Sequence, residues 1–258
     1  MIINVKNQER FTDVALLYSK YRPSYPNTLI DYLVSSVGIL KGNVVADIGS
    51  GTGIFSKILL EIGCYVYCVE PNDAMRQQAE RFLLGSEMKN FTLIKASAEH
   101  TGIQEDSIDY ITVAQAFHWF DKKLFKNECK RIMKNNSKIA IIWNMRDFNT
   151  DLVNSEYELR QKYCIGTQNL RQKDMDKRYV NDFFRNNEYD VSIFRNDIVL
   201  SREAYIGMNL SGSFSPNEKV HKDKFHDLVS ELNRFFDKYS SNELINFPQF
   251  TECYVGGL

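Results

Sequence analysis

Residues 44–73 read VVADIGSGTGIFSKILLEIGCYVYCVEPND. Two acids, Asp47 and Glu70, each stand at or just beyond the end of an apolar run, and Gly49, Gly51 and Gly53 occupy alternate positions between them. A strand, a glycine turn and a helix let a ligand approach the backbone closely. The dinucleotide fingerprint G-x-G-x-x-G, counted from Gly49, places its last glycine at position 54, but that residue is Ile54. Asp47, two residues before the first glycine, opposes a pyrophosphate, because charge interactions strengthen in a site of reduced dielectric. Glu70, closing the second run, is placed to accept both hydroxyls of a ribose.

The ligand these residues suit is a nucleoside that has no phosphates and carries positive charge. S-adenosylmethionine fits that description and NAD fits it poorly. Three glycines in five positions lose extra backbone entropy on folding, which a plain turn does not require, so ligand contact is the expected use. Other residues with chemistry lie outside the loop. In YSKYRPSYP, Arg22 and Tyr25 each precede a proline and are biased to extended backbone. His118 is an ionisable group near neutrality, suited either to taking a proton from an acceptor or to a structural bond with backbone.

These residues need a frame. Leu29, Ile30, Leu33 and Val37 recur at helical spacing behind Pro26. Val44–Ile48 and Tyr65–Val69 read as buried strands. Between them Ile54–Ile62 reads as a helix ended by Gly63, and Asn72 caps the next helix. Strands at 91–94, 110–113 and 139–143, with a helix at 124–133, continue the alternation. Strands apolar throughout imply a parallel sheet covered on both faces. The regularity stops near residue 144. Residues 147–190 are polar and read as a helical lid insertion. Val191–Val199 and Phe250–Val255 read as last strands, with an amphipathic helix at 225–239 between them.

VVADIGSGTG, CVEPND, IKASAEHTGIQEDSIDYITVAQAFHWF and YSKYRPSYP together resemble the class I S-adenosylmethionine-dependent methyltransferases. The likeness is to a small-molecule branch, the methyltransferase type 11 and trans-aconitate methyltransferase-like proteins. It covers residues 11–146 well and rests on element order beyond. The resemblance implies an α/β, Rossmann-like, doubly wound sheet of seven strands, mostly parallel with the last antiparallel. It implies a donor site made by Tyr18, Arg22, Asp47, Gly49, Ser50, Gly51, Gly53, Glu70, Pro71, Met75, Ser97, Ala98, Glu99, Gln115, Ala116 and Trp119. Tyr18 and Arg22 would reach the methionine carboxylate from a flap, while Ala98 and Glu99 meet adenine. Trp119 either stacks on adenine or closes the core. Asp47 also caps loop amides in this reading. Tyr25, His118, Asn144 and Arg146 would face the methyl acceptor, Arg146 either holding an acidic substrate or pairing with Asp147. Ser211 and Ser213 would face the pocket from the other side.

The 258 residues are 43% hydrophobic with a net charge of −1, so no overall positive field gathers nucleic acid. Lys122, Lys123, Lys126, Lys130 and Arg131 fit the solvated face of a helix. No apolar run approaches the ~18 residues of a membrane span, and MIINVKNQERF does not read as a secretory signal. Five scattered cysteines suggest reduced thiols in a cytoplasmic protein, and metal-ligand spacing is absent. The expectation is one domain: flap 1–27, donor-binding core 28–146, lid 147–190, and C-terminal strands and helix 191–258. Its activity would be methyl transfer to the oxygen, carboxylate or nitrogen of a small molecule by a monomer or weak dimer. An RNA or protein methyltransferase, or a regulatory binder of the donor without turnover, are the alternatives.

Overall fold

The structure is a computed structural model describing residues 15–165, 180–212 and 214–258. A short helix α1 (Ala15–Tyr21) precedes α2 (Asn27–Tyr32), which widens into a π turn over Leu33–Val37. The central run is β1 (Val44–Ile48), α3 (Ile54–Ile62), β2 (Tyr65–Val69), α4 (Asp73–Gly85), β3 (Phe91–Ile94), β4 (Ile108–Ala114), α5 (Lys122–Ile132) and β5 (Met133–Arg146). Then come α6 (Asp151–Tyr163), β6 (Tyr189–Arg195), β7 (Ile198–Ser201), α7 (Arg202–Leu210), α8 (Lys222–Tyr239), β8 (Leu244–Phe247) and β9 (Gln249–Gly256). Local chemistry sets several boundaries. Asn72 accepts from Met75 N at 2.9 Å to cap α4, Asp121 caps α5 through Leu124 N at 3.0 Å, and Gly63 closes α3 at φ 98°.

Seven strands form one sheet in the order β3-β2-β1-β4-β5-β9-β6. The first four junctions are parallel, and β9 runs antiparallel to both β5 and β6. The antiparallel last strand expected from the resemblance is therefore present. Side-chain alternation sorts the core onto the two faces. Ala46, Ile48, Ile139, Ile141 and Trp143 join one apolar cluster with Phe117 and Phe125, while Val45, Ala140 and Ile142 join another with Leu29, Phe55 and Leu59.

Three expectations change. β5 begins at Met133, not near 139, because polar residues 134–138 give no strand signal of their own. The stretch 191–199 is two strands in different sheets. At the break, Asn196 N donates to Gln249 O (2.9 Å) and Asp197 Oδ1 accepts from Gln249 N (3.1 Å), turning the chain so that β7 pairs with β8. The cap is also larger than the polar 147–190 stretch. Val153 of α6 packs with Tyr205, Leu228, Leu232, Phe236 and Phe247 in a third apolar cluster, so 198–247 and α6 build one unit beside the sheet. Residues 166–179 of the expected lid and 1–14 of the flap lie outside the described residues. Among the described residues no helix is long and apolar enough to cross a membrane.

Candidate active site

The parallel register sets Asp47 on β1 beside Cys68 on β2 and Thr112 on β4. Strand order reverses at β1, so a crevice opens beyond the carboxyl ends of β1 and β4, where ligands bind in sheets of this kind. Asp47 is fully buried there, its carboxylate accepting from Ser56 Oγ (2.6 Å) and Thr112 Oγ1 (3.0 Å). Burial pushes its pKa up to about 6, and the two hydroxyls only partly offset that. The expectation that Asp47 caps loop amides is corrected. Gly49 N and Ser50 N donate to Val69 O (2.8 and 3.1 Å), Gly53 N donates to Ser50 O (2.9 Å), and Gly51 N donates to Glu70 Oε2 (3.0 Å).

Glu70 thus ties the glycine loop to the end of β2. Its other oxygen accepts from Asn72 N at 2.8 Å. Burial raises its pKa against the pull of those two backbone bonds. The glycines divide the work. A Cβ on Gly51 meets nothing within 4 Å and opens onto the crevice. One on Gly49 would lie 2.5 Å from Ala116 Cβ. Gly53 does not line the crevice; its φ is +82° and an added Cβ would press on Ala79 of α4 at 3.3 Å. Its left-handed backbone and its packing against α4 are what require glycine here.

The crevice has two lobes of about 740 and 800 Å³ that share Tyr18, Gly49, Gly51, Ala114 and Gln115. The first is walled by Glu70, Pro71, Met75, Ser97, Ala98, Glu99, Ala116 and Trp119, every one expected from the sequence, and by Phe120, which was not. The second holds Arg22, Tyr25, Asp47, Ser50, Asn144 and Arg146 as expected. It also holds Thr52 and Phe55, adjoining the loop, and Met208, Phe247 and Gln249, for which no local motif speaks. Gln115, at the junction, adopts φ 61°. That left-handed backbone costs a non-glycine residue roughly 1–2 kcal/mol, and strain of this kind clusters at functional sites.

Other placements differ from expectation. His118 lines neither lobe. The 3₁₀ turn Phe117–Trp119 drives Phe117 into the aromatic core against Phe125, Phe183 and Trp143, which turns His118 outward to an exposed position against Trp119. Arg146 pairs with Glu156 (3.2 Å) and not Asp147, whose carboxylate is held by Arg195 at 2.7 Å. The Asn144 side chain is engaged by protein: Oδ1 accepts from Thr251 Oγ1 (2.6 Å), and Nδ2 donates to Ser24 O (3.2 Å). Ser211 is buried and bonds Met208 O through its hydroxyl, while its carbonyl accepts from Arg22 Nη2 at 3.4 Å. Ser213 lies outside the described residues.

Residues 46–141 match the family model of the methyltransferase domain. Over that stretch, which holds the glycine loop and β1 to β5, the chain is similar to the methyltransferase domain. Among its relatives is an uncharacterised methyltransferase of Mycobacterium tuberculosis, 31% identical over 130 residues, half the length of each protein. An uncharacterised methyltransferase of Schizosaccharomyces pombe is 24% identical over 254 residues, 94% of each. The fold is similar to that of a type II methyltransferase assignment from Anaeromyxobacter dehalogenans (TM-score 0.66, 22% identity, 92% of this chain and 98% of that one). The methyl donor of the family is S-adenosylmethionine.

The crevice fits that donor. It offers a buried carboxylate at the end of β2, an apolar slot beside it between Met75, Ala98 and Trp119, and a loop glycine open toward the ligand. Ser50 Oγ, Thr52 Oγ1 and Arg22 Nε are buried without protein partners where the loop meets the second lobe. Buried polar atoms left unpaired are costly, and a polar ligand in the crevice supplies what they lack.

Proposed function

We propose that the protein transfers the methyl group of S-adenosylmethionine to a small-molecule acceptor, at oxygen, carboxylate or nitrogen. The observation that supports this most is the joining of the two lobes at Gly49, Gly51, Tyr18 and Gln115. One lobe suits an adenosine, the other is polar, and the junction is where a methyl group would cross. Glu70 keeps lone pairs beyond its two backbone bonds and accepts the ribose hydroxyls. Met75, Ala98 and Trp119 enclose the adenine. Arg22, stacked 4.6 Å from the centre of the Tyr18 ring, offers its fork to the methionine carboxylate. Asp47 faces the ammonium, whose charge favours the ionised form that burial opposes.

When bound, the donor supplies a methyl on a sulfonium with a neutral leaving group, so the chain contributes chiefly alignment and exclusion of water. No residue is assigned as general base. His118 points away, and burial pushes the Tyr25 phenol well above its usual range. A roof made by α1 and the cap, with Arg22 and Met208 in the wall, favours a small acceptor over a polymer. Titration calorimetry with S-adenosylmethionine, S-adenosylhomocysteine and NAD tests the site. Both adenosyl ligands are expected to bind the native protein, more weakly in Glu70→Gln and Asp47→Asn, and NAD not at all. Absence of adenosyl binding, or binding indifferent to both acids, refutes it.

A further inference from the structure

The large sheet ends on an open strand. β6 pairs with β9 on one side, and among the described residues no strand pairs with its other side. The ladder identifies the backbone groups this leaves. Asn196 N donates to Gln249 O (2.9 Å) where the β6–β9 register continues, and bonding residues alternate along an antiparallel pair. Even-numbered residues of β6 therefore bond β9, and the N–H and C=O of Tyr189, Val191, Ile193 and Arg195 point to the free edge. Devices that blunt an edge are missing from this one. β6 runs for seven residues without lysine or proline, and its register with β9 is unbroken.

Those four side chains share one face of the sheet. Tyr189 joins the aromatic cluster there, but Val191 is 45% exposed and Ile193 62%. Two exposed β-branched residues beside unpaired backbone groups form a template for a further strand. The strand is also self-complementary. Laid antiparallel to a copy of itself about a two-fold axis at Ser192, it sets Val191 against Ile193 of the copy, and Tyr189 against Arg195, each twice. Arg195 keeps its bonds to Asp147 and Asp197 (2.7 Å each) and offers the tyrosine ring a cationic face. Every outward N–H and C=O of β6 closes a bond in this register. A one-residue slip would instead set outward groups against groups already bonded to β9. Asp190 meets Phe194 of the copy, whereas a parallel copy in register would set two Asp190 carboxylates side by side.

We propose that β6 is a homodimerisation edge, on which a second copy of this chain adds its own β6 antiparallel and joins the two seven-stranded sheets into one. Main-chain bonds supply the affinity, and the Val191–Ile193 pairs fix the register. An edge contact of this kind belongs with the small specific interfaces, below about 1,200 Å², so the dimer exchanges with monomer. β5 and β9 stand between β6 and the crevice strands β1 and β4. Pairing therefore leaves the crevice open, and the inference does not depend on the donor site.

Sedimentation velocity of the full chain, from low micromolar to near-millimolar concentration, tests this. The native protein is expected to pass from the 30.0 kDa monomer to twice that mass. Val191→Lys and Ile193→Glu, both at exposed positions, should each weaken the dimer by about 2- to 30-fold, since each alters two cross-strand pairs. The double variant sets opposite charges across both pairs and should recover the dimer. In a register centred on Val191 or on Ile193 it would oppose like charges instead. Hydrogen exchange reads the native chain without substitution. Rising concentration should slow the outward amides of Val191 and Ile193 and leave that of Ser192, bonded to β9, unchanged. A monomer throughout, a dimer indifferent to both single substitutions, or a double variant no better than the singles each overturns the inference. So does concentration-dependent protection that falls on another element and not on β6.

Discussion

Gly207→Ala is a one-methyl change far from the glycine loop, and it should weaken donor binding. Gly207 lies on α7, where an added Cβ would sit 2.3–2.5 Å from the ring atoms of Tyr21 on α1. The Tyr21 hydroxyl donates to Glu203 Oε1 at 2.6 Å, one helical turn earlier, and Lys20 Nζ reaches the same oxygen at 2.8 Å. The ring therefore lies in a notch on α7 with its far end tied. Tyr18 and Arg22, which line the crevice, flank Tyr21 in sequence. Alanine favours the α7 helix itself by ~1 kcal/mol, whereas overpacking costs ~1–3 kcal/mol, so the clash prevails and α1 is displaced. A net loss of up to ~2 kcal/mol in docking corresponds to as much as about a 30-fold change in population, and ligand affinity falls with the docked fraction. Calorimetry with S-adenosylhomocysteine reads the fall. In a Tyr21→Ala background the same glycine change should cost no affinity and should raise the melting temperature, because the helix-propensity gain then stands alone. Equal losses in both backgrounds, or none in the native one, refute the notch.

Other consequences follow from the buried acids, which act in opposite directions. Asp47, with a pKa of about 6 against an ordinary 3.8, binds a proton in the folded protein that the unfolded chain lacks between those values. Its ionisation therefore costs stability as pH rises through that window, by ~3 kcal/mol from linkage. Asp47→Asn should be more stable than the native protein in urea at pH 7 but not at pH 4, and an equal gap at both pH values would contradict this. Glu128 is the reverse case. Burial raises its pKa, but bonds from Arg131 and Thr101 prevail and hold it down to about 2. Its contribution is complete above pH 4.5 and lost as pH falls through 2. Glu128→Gln should lower the neutral-pH melting temperature and flatten the acid limb, and an unchanged limb would show that the loss has another source.

The glycine loop and the first lobe were legible because their signals are local. A β-branched run, an acid, spaced glycines and a helical period specify strand, turn and helix within thirty residues, and Glu70 ends the adjoining parallel strand. The second lobe was not. Met208, Phe247 and Gln249 reach the crevice from elements far along the chain, and nothing in their neighbours announces it. Arg146 shows why sequence proximity misleads. Asp147 follows it directly, but the β5 end turns there, Asp147 swings to Arg195, and Arg146 finds Glu156 on α6. His118 was a sound choice by chemistry, but its neighbour Phe117 is the larger hydrophobe. Burying Phe117 in the aromatic core fixes the turn and leaves the imidazole outside. The split at Asn196 likewise depends on Gln249, a residue more than fifty positions away.

These facts give α1 a dual allegiance. Tyr18 lines both lobes and Arg22 the second, while Tyr21 is seated on the cap and Arg22 bonds the carbonyl of Ser211 beyond α7. Asn144 and Asn196 hold Ser24 O from the sheet side at 3.2 Å each. A donor that binds Arg22 therefore favours the docked α1, and docked α1 completes the wall against which an acceptor must pack. By reciprocity an acceptor that needs that wall must favour donor binding by the same factor. An acceptor that binds the S-adenosylhomocysteine complex should accordingly tighten S-adenosylhomocysteine in turn. Gly207→Ala should reduce both affinities, whereas Arg146→Gln reduces only one. That contrast separates a residue that touches the acceptor from one that acts by holding the roof in place.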